Sequence, residues 1–444
     1  MPAYRNDFNN RGGRSNSQSR PQVQQRQAVQ RQAQIRPVQR PMFRNEIRAQ
    51  QQMQQQAHTQ AQPVPAKKPR RYYDYSLLFG VIFIFALGLL VIYSSSQYTA
   101  MLEKGDAQYY FKRQLIIGSA GLLLAIVMSV CDYRWVKNAV VAYAAYLGSC
   151  ALLLVTLISG LASHGKTRWL SIAGISFQPA EVAKVGLIVL LAYYVSLHGP
   201  NMHKRKYLIR AIGYSLIPTI LILKQNISSA FIVAMIAAVM LFVAIKNYAA
   251  FFALGTAALA ALFSARPLLH KYIIDNGMTS RPEKYWMRRI VGWAAPEIFE
   301  ADAYQTMQGM YAIGSGGMTG HGLGESIQKF GKIPEVQNDM IFTIICEEFG
   351  FIGAATIILL FFYIIYRIYK IAYNAPDVFG TMLCAGVMAH LGLQVALNIA
   401  VVTMVIPNTG VTLPFISYGG SAVLVTMAEI GIVLSVAHQI RQGS

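Results

Sequence analysis

Charge is scarce in this chain, and negative charge scarcer still. Of its 444 residues only 13% are Asp, Glu, Lys or Arg, and nineteen acids face thirty-nine bases. Soluble domains carry about twice that share of charge, so a surface that meets water on all sides is excluded. Cysteine is also rare. Cys131, Cys150, Cys346 and Cys384 fall in or at the edges of apolar runs without C-x-x-C spacing, which speaks against disulfides and metal ligands and leaves small core residues. The Gly-Lys-Ser/Thr ending of a phosphate-binding loop is missing as well, although five glycines occur from Gly314 to Gly322. That stretch reads as a turn-forming loop passing close to other backbone, ahead of a backbone cradle for an anion.

Apolar residues dominate instead, at 54% of the chain with a mean hydropathy of +0.38. Ten apolar runs, from Leu77–Ile92 to Ser421–His438, reach or approach the roughly 17 to 25 residues that cross a bilayer. They predict an all-α polytopic membrane protein with about ten transmembrane helices, occupying residues 72–444. The fifth run, Ala211–Leu223, is short and holds Pro218, which predicts a kink accommodated by neighbouring helices. Because the first run starts only near Leu77, no cleavable signal peptide is expected and the first helix stays as an anchor.

Residues 1–71 have a different composition. Fourteen Lys and Arg stand against Asp7 and Glu46, a net +12 out of the chain's +20, in a background of Gln and Pro. Such a segment cannot bury enough apolar surface to offset its ordering entropy. It reads as a disordered basic tail drawn to anionic membrane lipids rather than to nucleic acid.

Lys and Arg also orient the spans. The tail, Arg134 and Lys137, His203 to Lys206, Lys246, Arg367 and Lys370, and Arg441 alternate onto one side if both termini are cytoplasmic. Lys112, Arg113, Lys166 and Arg168 then lie on the outer side, a placement compatible with an anionic ligand there. One connection is far longer than the rest: about seventy residues, 266–339, join the seventh and eighth spans and come out extracytoplasmic. Within it "RRIVGW" mixes basic and apolar residues as a headgroup-level segment would, and "DAYQTMQGMYAIG" looks helical.

Three polar groups in or beside the apolar runs need a reason. In "FQPAEVAK", Pro179 suits a first helical turn, and Glu181 and Lys184 at i, i+3 share one face, either as a self-satisfying ion pair or as part of a substrate path. Glu429 in the last span has no evident role. Asp339 stands where the eighth span begins, which suits an N-cap, while Glu347 and Glu348 lie too deep to cap anything. A carboxylate at the outer surface beneath a large loop also has the chemistry of a general base for a sugar hydroxyl; the residues alone leave both roles open.

"TRWLSIAGISFQPAEVAK", "RRIVGWAAP", "AIGSGGMTGHGLGESIQKFGKIPEVQNDMIFTIICEEFGFIGA" and "PNTGVTLPFISYGGSA" resemble, in order and spacing, the SEDS family of peptidoglycan polymerases, the FtsW/RodA/SpoVE group, from about Tyr75 to Gln439. The resemblance implies an inverting glycosyltransferase that polymerises lipid II at the outer face of the cytoplasmic membrane beside a class B penicillin-binding protein. It places the essential acid on Asp339, and the charge of the diphosphate leaving group makes the cations Lys184, paired with Glu181, and Arg289 the candidates to stabilise it. It makes Gln305 a further substrate-binding position, and "LPFISYGGS", Leu413 to Ser421, either a tight turn that lets helices pack closely or an outer wall of the substrate cleft with Ser417 and Tyr418 as hydrogen-bonding groups. A divalent cation, Mg or Mn, would suit the same leaving group, although no ligand cluster is evident in the sequence.

Two positions depart from the family pattern. Gln337-Asn338 replaces the usual His-Thr before the acid, and "KQNISSA" puts Asn226 where an Asp is usual. "VTLPF" is more like the FtsW and SpoVE pattern than RodA, which implies a septal role alongside other divisome proteins. Two other functions stay open beside the polymerase: a lipid II flippase using Glu181, Lys184 and Glu429, and a catalytically weak scaffold for the penicillin-binding partner, which the Asn226 departure keeps in play.

Overall fold

The apolar runs become helices that start and stop at identifiable chemical signals. In the computed structural model the described residues are 73–440, apart from 160, 164–165, 173–174 and 246–247, together with Met53. The basic tail 1–71 therefore lies outside them, Met53 aside. The helices are α1 (Tyr75–Lys104), α2 (Tyr109–Val130), α3 (Ala139–Ser159), α4 (Pro179–His198), α5 (Arg205–Leu223), α6 (Ile227–Ala244), α7 (Tyr248–Asp275), α8 (Tyr285–Ala294), α9 (Glu300–Ser315), α10 (Ile341–Tyr373), α11 (Val378–Val402) and α12 (Gly420–His438). Among the described residues ten of these, all but α8 and α9, are long and apolar enough to cross a membrane. The protein is a multi-pass membrane protein.

Caps set the boundaries. The Asp74 carboxylate accepts from the Leu77 N–H at 2.9 Å and is held by Arg367 at 2.7 Å, so the start of α1 is tied to α10. Asp377 likewise caps α11 through Gly380 N–H. Helix α1 ends at Gly105, whose φ of 71° is the left-handed stop that glycine adopts without strain.

Helices α4, α11 and α12 are the most enclosed spans, and α7 stands at the edge with its apolar face outward. Close packing uses small residues, as lipid-embedded helices require. A Cβ on Gly431 of α12 would come within 2.9 Å of the Ala125 backbone in α2, so these two helices pack almost backbone to backbone. Pro218 does sit inside a span, α5, which is longer at its start than the apolar run suggested. Proline has no N–H to give the carbonyl of residue 214. Tyr146 of α3 supplies the missing donor, its hydroxyl reaching Tyr214 O at 2.8 Å.

Helix α10 is not continuous, which the sequence analysis did not anticipate. Gly350 has φ 66° and ψ −166°, a break in the third turn. The backbone groups the break frees are taken up by the glycine-rich loop: His321 and Gly322 donate to the carbonyls of Glu347 and Glu348, and Phe351 and Ile352 donate to Gly317 and Met318. Irregular backbone at this depth is tolerated because protein satisfies it. Contact is so tight that a Cβ at Gly316 would fall 1.9 Å from Cys346 O. The glycines thus serve the close approach expected of them. Glu347 and Glu348 hold the same loop. Glu347 accepts from the Ser326 hydroxyl and the Ile327 N–H, and Glu348 pairs with buried Lys329 at 3.1 Å.

The long connection between α7 and α10 contains α8 and α9. The apolar face of α8 packs on protein: Val291, Trp293 and Ala294 cluster with Ile273 and Phe299, and Trp293 Nε1 donates to Met404 O at 2.9 Å. The "RRIVGW" stretch, expected at headgroup level, is thus part of a helix docked on protein. A second unanticipated element joins α3 to α4, an antiparallel sheet of β1 (Leu161–Ser163), β2 (Lys166–Ile172) and β3 (Ile175–Phe177) in that order. Its registers pair Leu161 with Trp169 and Leu170 with Phe177.

Candidate active site

At one end of the bundle the N-terminal ends of α2, α4, α6, α10 and α12 surround a cavity of about 720 Å³. The positive ends of five helix dipoles border this space and favour negative charge in it. Arg113, Lys184 and Arg289 add cationic side chains, and Glu181, Glu335 and Asp339 are the acids on the wall.

Asp339 does not cap α10. Met340 occupies the cap position and provides no side-chain acceptor, so the carboxylate one residue earlier is left for the cavity. Its backbone is fixed from α11, where buried Asn398 donates to both Asp339 O and Val411 O at 2.7 Å. Asp339 is 8% exposed. Burial raises its pKa from an ordinary 3.8 to about 6; the Arg289 guanidinium pulls the value down and Glu335 pushes it up. A carboxylate tuned to this range is poised to accept a proton near neutral pH.

Arg289 reaches the cavity from α8. It donates to Asn408 O at 3.2 Å and to the Tyr285 hydroxyl at 2.6 Å, and lies over the Tyr285 ring. Gly410, with φ +68°, separates the two charged groups: a Cβ there would sit 3.6 Å from Asp339 Oδ2 and 3.7 Å from Arg289 Nη1. Gln305 also lines the cavity and clamps it, donating to Pro334 O at 3.0 Å and accepting from Asn408 at 2.8 Å. Tyr418 is on the wall, stacked edge-on against Tyr110. Ser417 is not. Its buried hydroxyl accepts from Leu413 N–H at 2.7 Å and holds the turn.

With this geometry in hand, comparison with known proteins is decisive. A family model described as "Cell cycle protein", for FtsW, RodA and SpoVE, matches residues 75–442. The chain belongs to the FtsW/RodA/SpoVE family. It is 32% identical over 378 residues to stage V sporulation protein E of Bacillus subtilis (strain 168), covering 83% of this chain and 98% of that one. It is 33% identical over 386 residues to the probable peptidoglycan glycosyltransferase FtsW of Trichlorobacter lovleyi, covering 84% and 95%. Among solved structures it is similar to a chain described under "Structural coordination of polymerization and crosslinking by a peptidoglycan synthase complex", with a TM-score of 0.65, 26% identity, and 84% and 99% coverage. The rod shape determining protein RodA of Thermus thermophilus gives a TM-score of 0.57 at 25% identity, covering 84% of this chain and 98% of that one.

In this FtsW/RodA/SpoVE chain the Glu181–Lys184 pair forms as the spacing suggested, at 2.8 Å, and continues further than the sequence revealed. Lys184 Nζ also meets His390 Nε2 of α11 at 2.9 Å, and His390 Nδ1 meets Glu429 of α12 at 2.8 Å. Asn226, the amide in place of the usual family acid, lines the cavity and caps α6 through Ser228 N–H at 3.1 Å.

Arg113, Trp169, Glu335, Gln394 and Gly410 are cavity residues that sequence reasoning did not select. For Arg113 a signal existed, its breach of the positive-inside pattern. No group of three or more His, Cys, Asp or Glu gathers among the described residues to hold a metal ion. Asp339 and Glu335 together could hold a hard cation only if a substrate phosphate completed its shell.

Proposed function

We propose that this protein is a peptidoglycan glycosyltransferase that polymerises lipid II at the outer face of the cytoplasmic membrane, for septal synthesis in cell division. Both termini are cytoplasmic in this reading, which puts the cavity and the α7–α10 connection outside. The observation that carries the proposal is the buried Asp339 carboxylate, with a pKa of about 6, facing Arg289 in an electropositive cavity.

Asp339 takes the proton of the acceptor GlcNAc 4-hydroxyl, and the oxygen attacks the donor's anomeric carbon. The bond to undecaprenyl diphosphate breaks as the new glycosidic bond forms, so an α-linked donor yields a β-linked product. Charge builds on the departing diphosphate, where fixed cations are most effective because no solvent must reorganise. Arg289, Arg113 and Lys184, with the convergent helix N-termini, are suited to that charge. Gln305 and Tyr418 supply polar wall contacts, and Glu181 keeps Lys184 in place. The partner is a class B penicillin-binding protein that cross-links the strands, within a divisome assembly. The basic tail meets anionic lipid on the inner face.

The test is polymerisation of labelled lipid II by the purified protein with its penicillin-binding partner carrying an inactivated transpeptidase, comparing wild type with Asp339→Asn. Glycan chains from the wild type and none from a folded, partner-bound variant support the proposal. Failure of both, under conditions where a homologue with the usual acid at position 226 succeeds, supports the scaffold reading instead. Transbilayer movement of labelled lipid II without glycan would favour the flippase.

A further inference from the structure

Lys184 is 1% exposed, His390 and Glu429 are fully buried, and the three come from α4, α11 and α12. Ionisable groups at this depth are expensive and are ordinarily paired. Here they form one line. An ammonium can only donate, so its contact with His390 requires Nε2 to accept and puts the ring proton on Nδ1, which donates to the Glu429 carboxylate. Glu429 thus does for His390 what a buried carboxylate does for the histidine of a metal site or hydrolase, setting which ring nitrogen presents its lone pair. Glu181 and His390 account for two of the three Lys184 N–H groups, and the lysine lies on the cavity wall. Helix α6 brings no ionisable group to this point.

We infer that His390 and Glu429 are positioning residues, which lock the Lys184 ammonium between Glu181 and His390 Nε2 so that its remaining N–H faces the diphosphate of the substrate. This rests on the reading of Lys184 as a leaving-group partner. Glu181 by itself would let the lysine swing; the imidazole behind it fixes the direction. No proton leaves the chain in the step. The glycosidic oxygen's proton goes to Asp339, and Lys184 stabilises the departing diphosphate by charge alone.

The test is steady-state polymerisation by His390→Leu/Glu429→Met, an apolar replacement of both members that leaves no unpaired buried charge. His390→Gln serves as the conservative variant, since its amide can accept from Lys184 and donate to Glu429. Each is measured in the wild-type and the Lys184→Met backgrounds. The expected result is a fall of about tenfold in kcat for the double variant with KM moved less than about threefold, because the charge on the diphosphate grows in the transition state. His390→Gln should recover most of the rate. In the Lys184→Met background the replacement should cost nothing more. General damage to the bundle would lower kcat in both backgrounds, and wild-type kcat in the folded double variant would overturn the inference outright. If the double variant does not fold, Glu429→Gln in the same cycle decides: an unchanged kcat, or an equal loss without Lys184, refutes the positioning role. Should Lys184→Met polymerise like wild type, the leaving-group reading of Lys184 fails first and takes this inference with it.

Discussion

The folded protein holds the Asp339 proton to about pH 6, whereas an ordinary Asp releases it near 3.8. A difference of roughly two units is worth about 3 kcal/mol between the two protonation states. The sign follows from linkage. Between about pH 4 and pH 6 the unfolded chain gives up this proton and the folded protein keeps it, so stability falls as pH rises through that window, and above it the full cost of the buried charge is borne. Asp339→Asn removes the titration. The variant should therefore match wild type near pH 4 and exceed it by about 3 kcal/mol at pH 7.5, while losing polymerisation. Thermal unfolding of the detergent-solubilised protein across that range checks this; taking the difference between the two proteins at each pH cancels every other carboxylate. Activity gives an independent reading, since only the carboxylate form accepts a proton. The acid limb of log kcat/KM should bend near pH 6 with unit slope, and Arg289→Gln should move the bend upward because the guanidinium is what pulls the value down. Equal stability at every pH together with a bend near 4 would mean that Asp339 is solvated, and the argument from burial would be wrong.

Gly410→Ala demands a left-handed backbone from alanine, at about 1 to 2 kcal/mol, and inserts a methyl between Asp339 and Arg289. Its kcat should fall at least tenfold while the protein still folds, as single-turnover polymerisation and a melting curve would show. Lys329→Met strands Glu348 in the core without its cation and should cost about 3 to 5 kcal/mol. New protease cleavage between residues 317 and 333 would report the freed glycine loop. Asn226→Ala removes the cap of α6 and should cost about 1 kcal/mol, whereas Asn226→Asp caps equally well and should leave the melting temperature unchanged. A marked loss of stability in Asn226→Asp would show that the cavity wall rejects negative charge at that point.

Ten spans, the outsized connection between the seventh and eighth, and the doorstep position of Asp339 were legible in the chain because each rests on local order. Apolar length decides what crosses a bilayer, caps and glycines mark where helices stop, and a sidedness in Lys and Arg separates the two ends. Two neighbours at i, i+3 disclosed the Glu181–Lys184 pair for the same reason. The break in α10 was not legible. A glycine in an apolar run is common, and Gly350 differs only because a loop some thirty residues earlier supplies the backbone partners that make the break affordable. Nor could periodicity show that Ser417 spends its hydroxyl on its own turn while Arg113 faces the cavity. Glu429 had no role in one dimension. Tertiary structure gave it one by bringing His390 and Lys184 from two other helices, since a charge buried among spans is explained only by what packs against it.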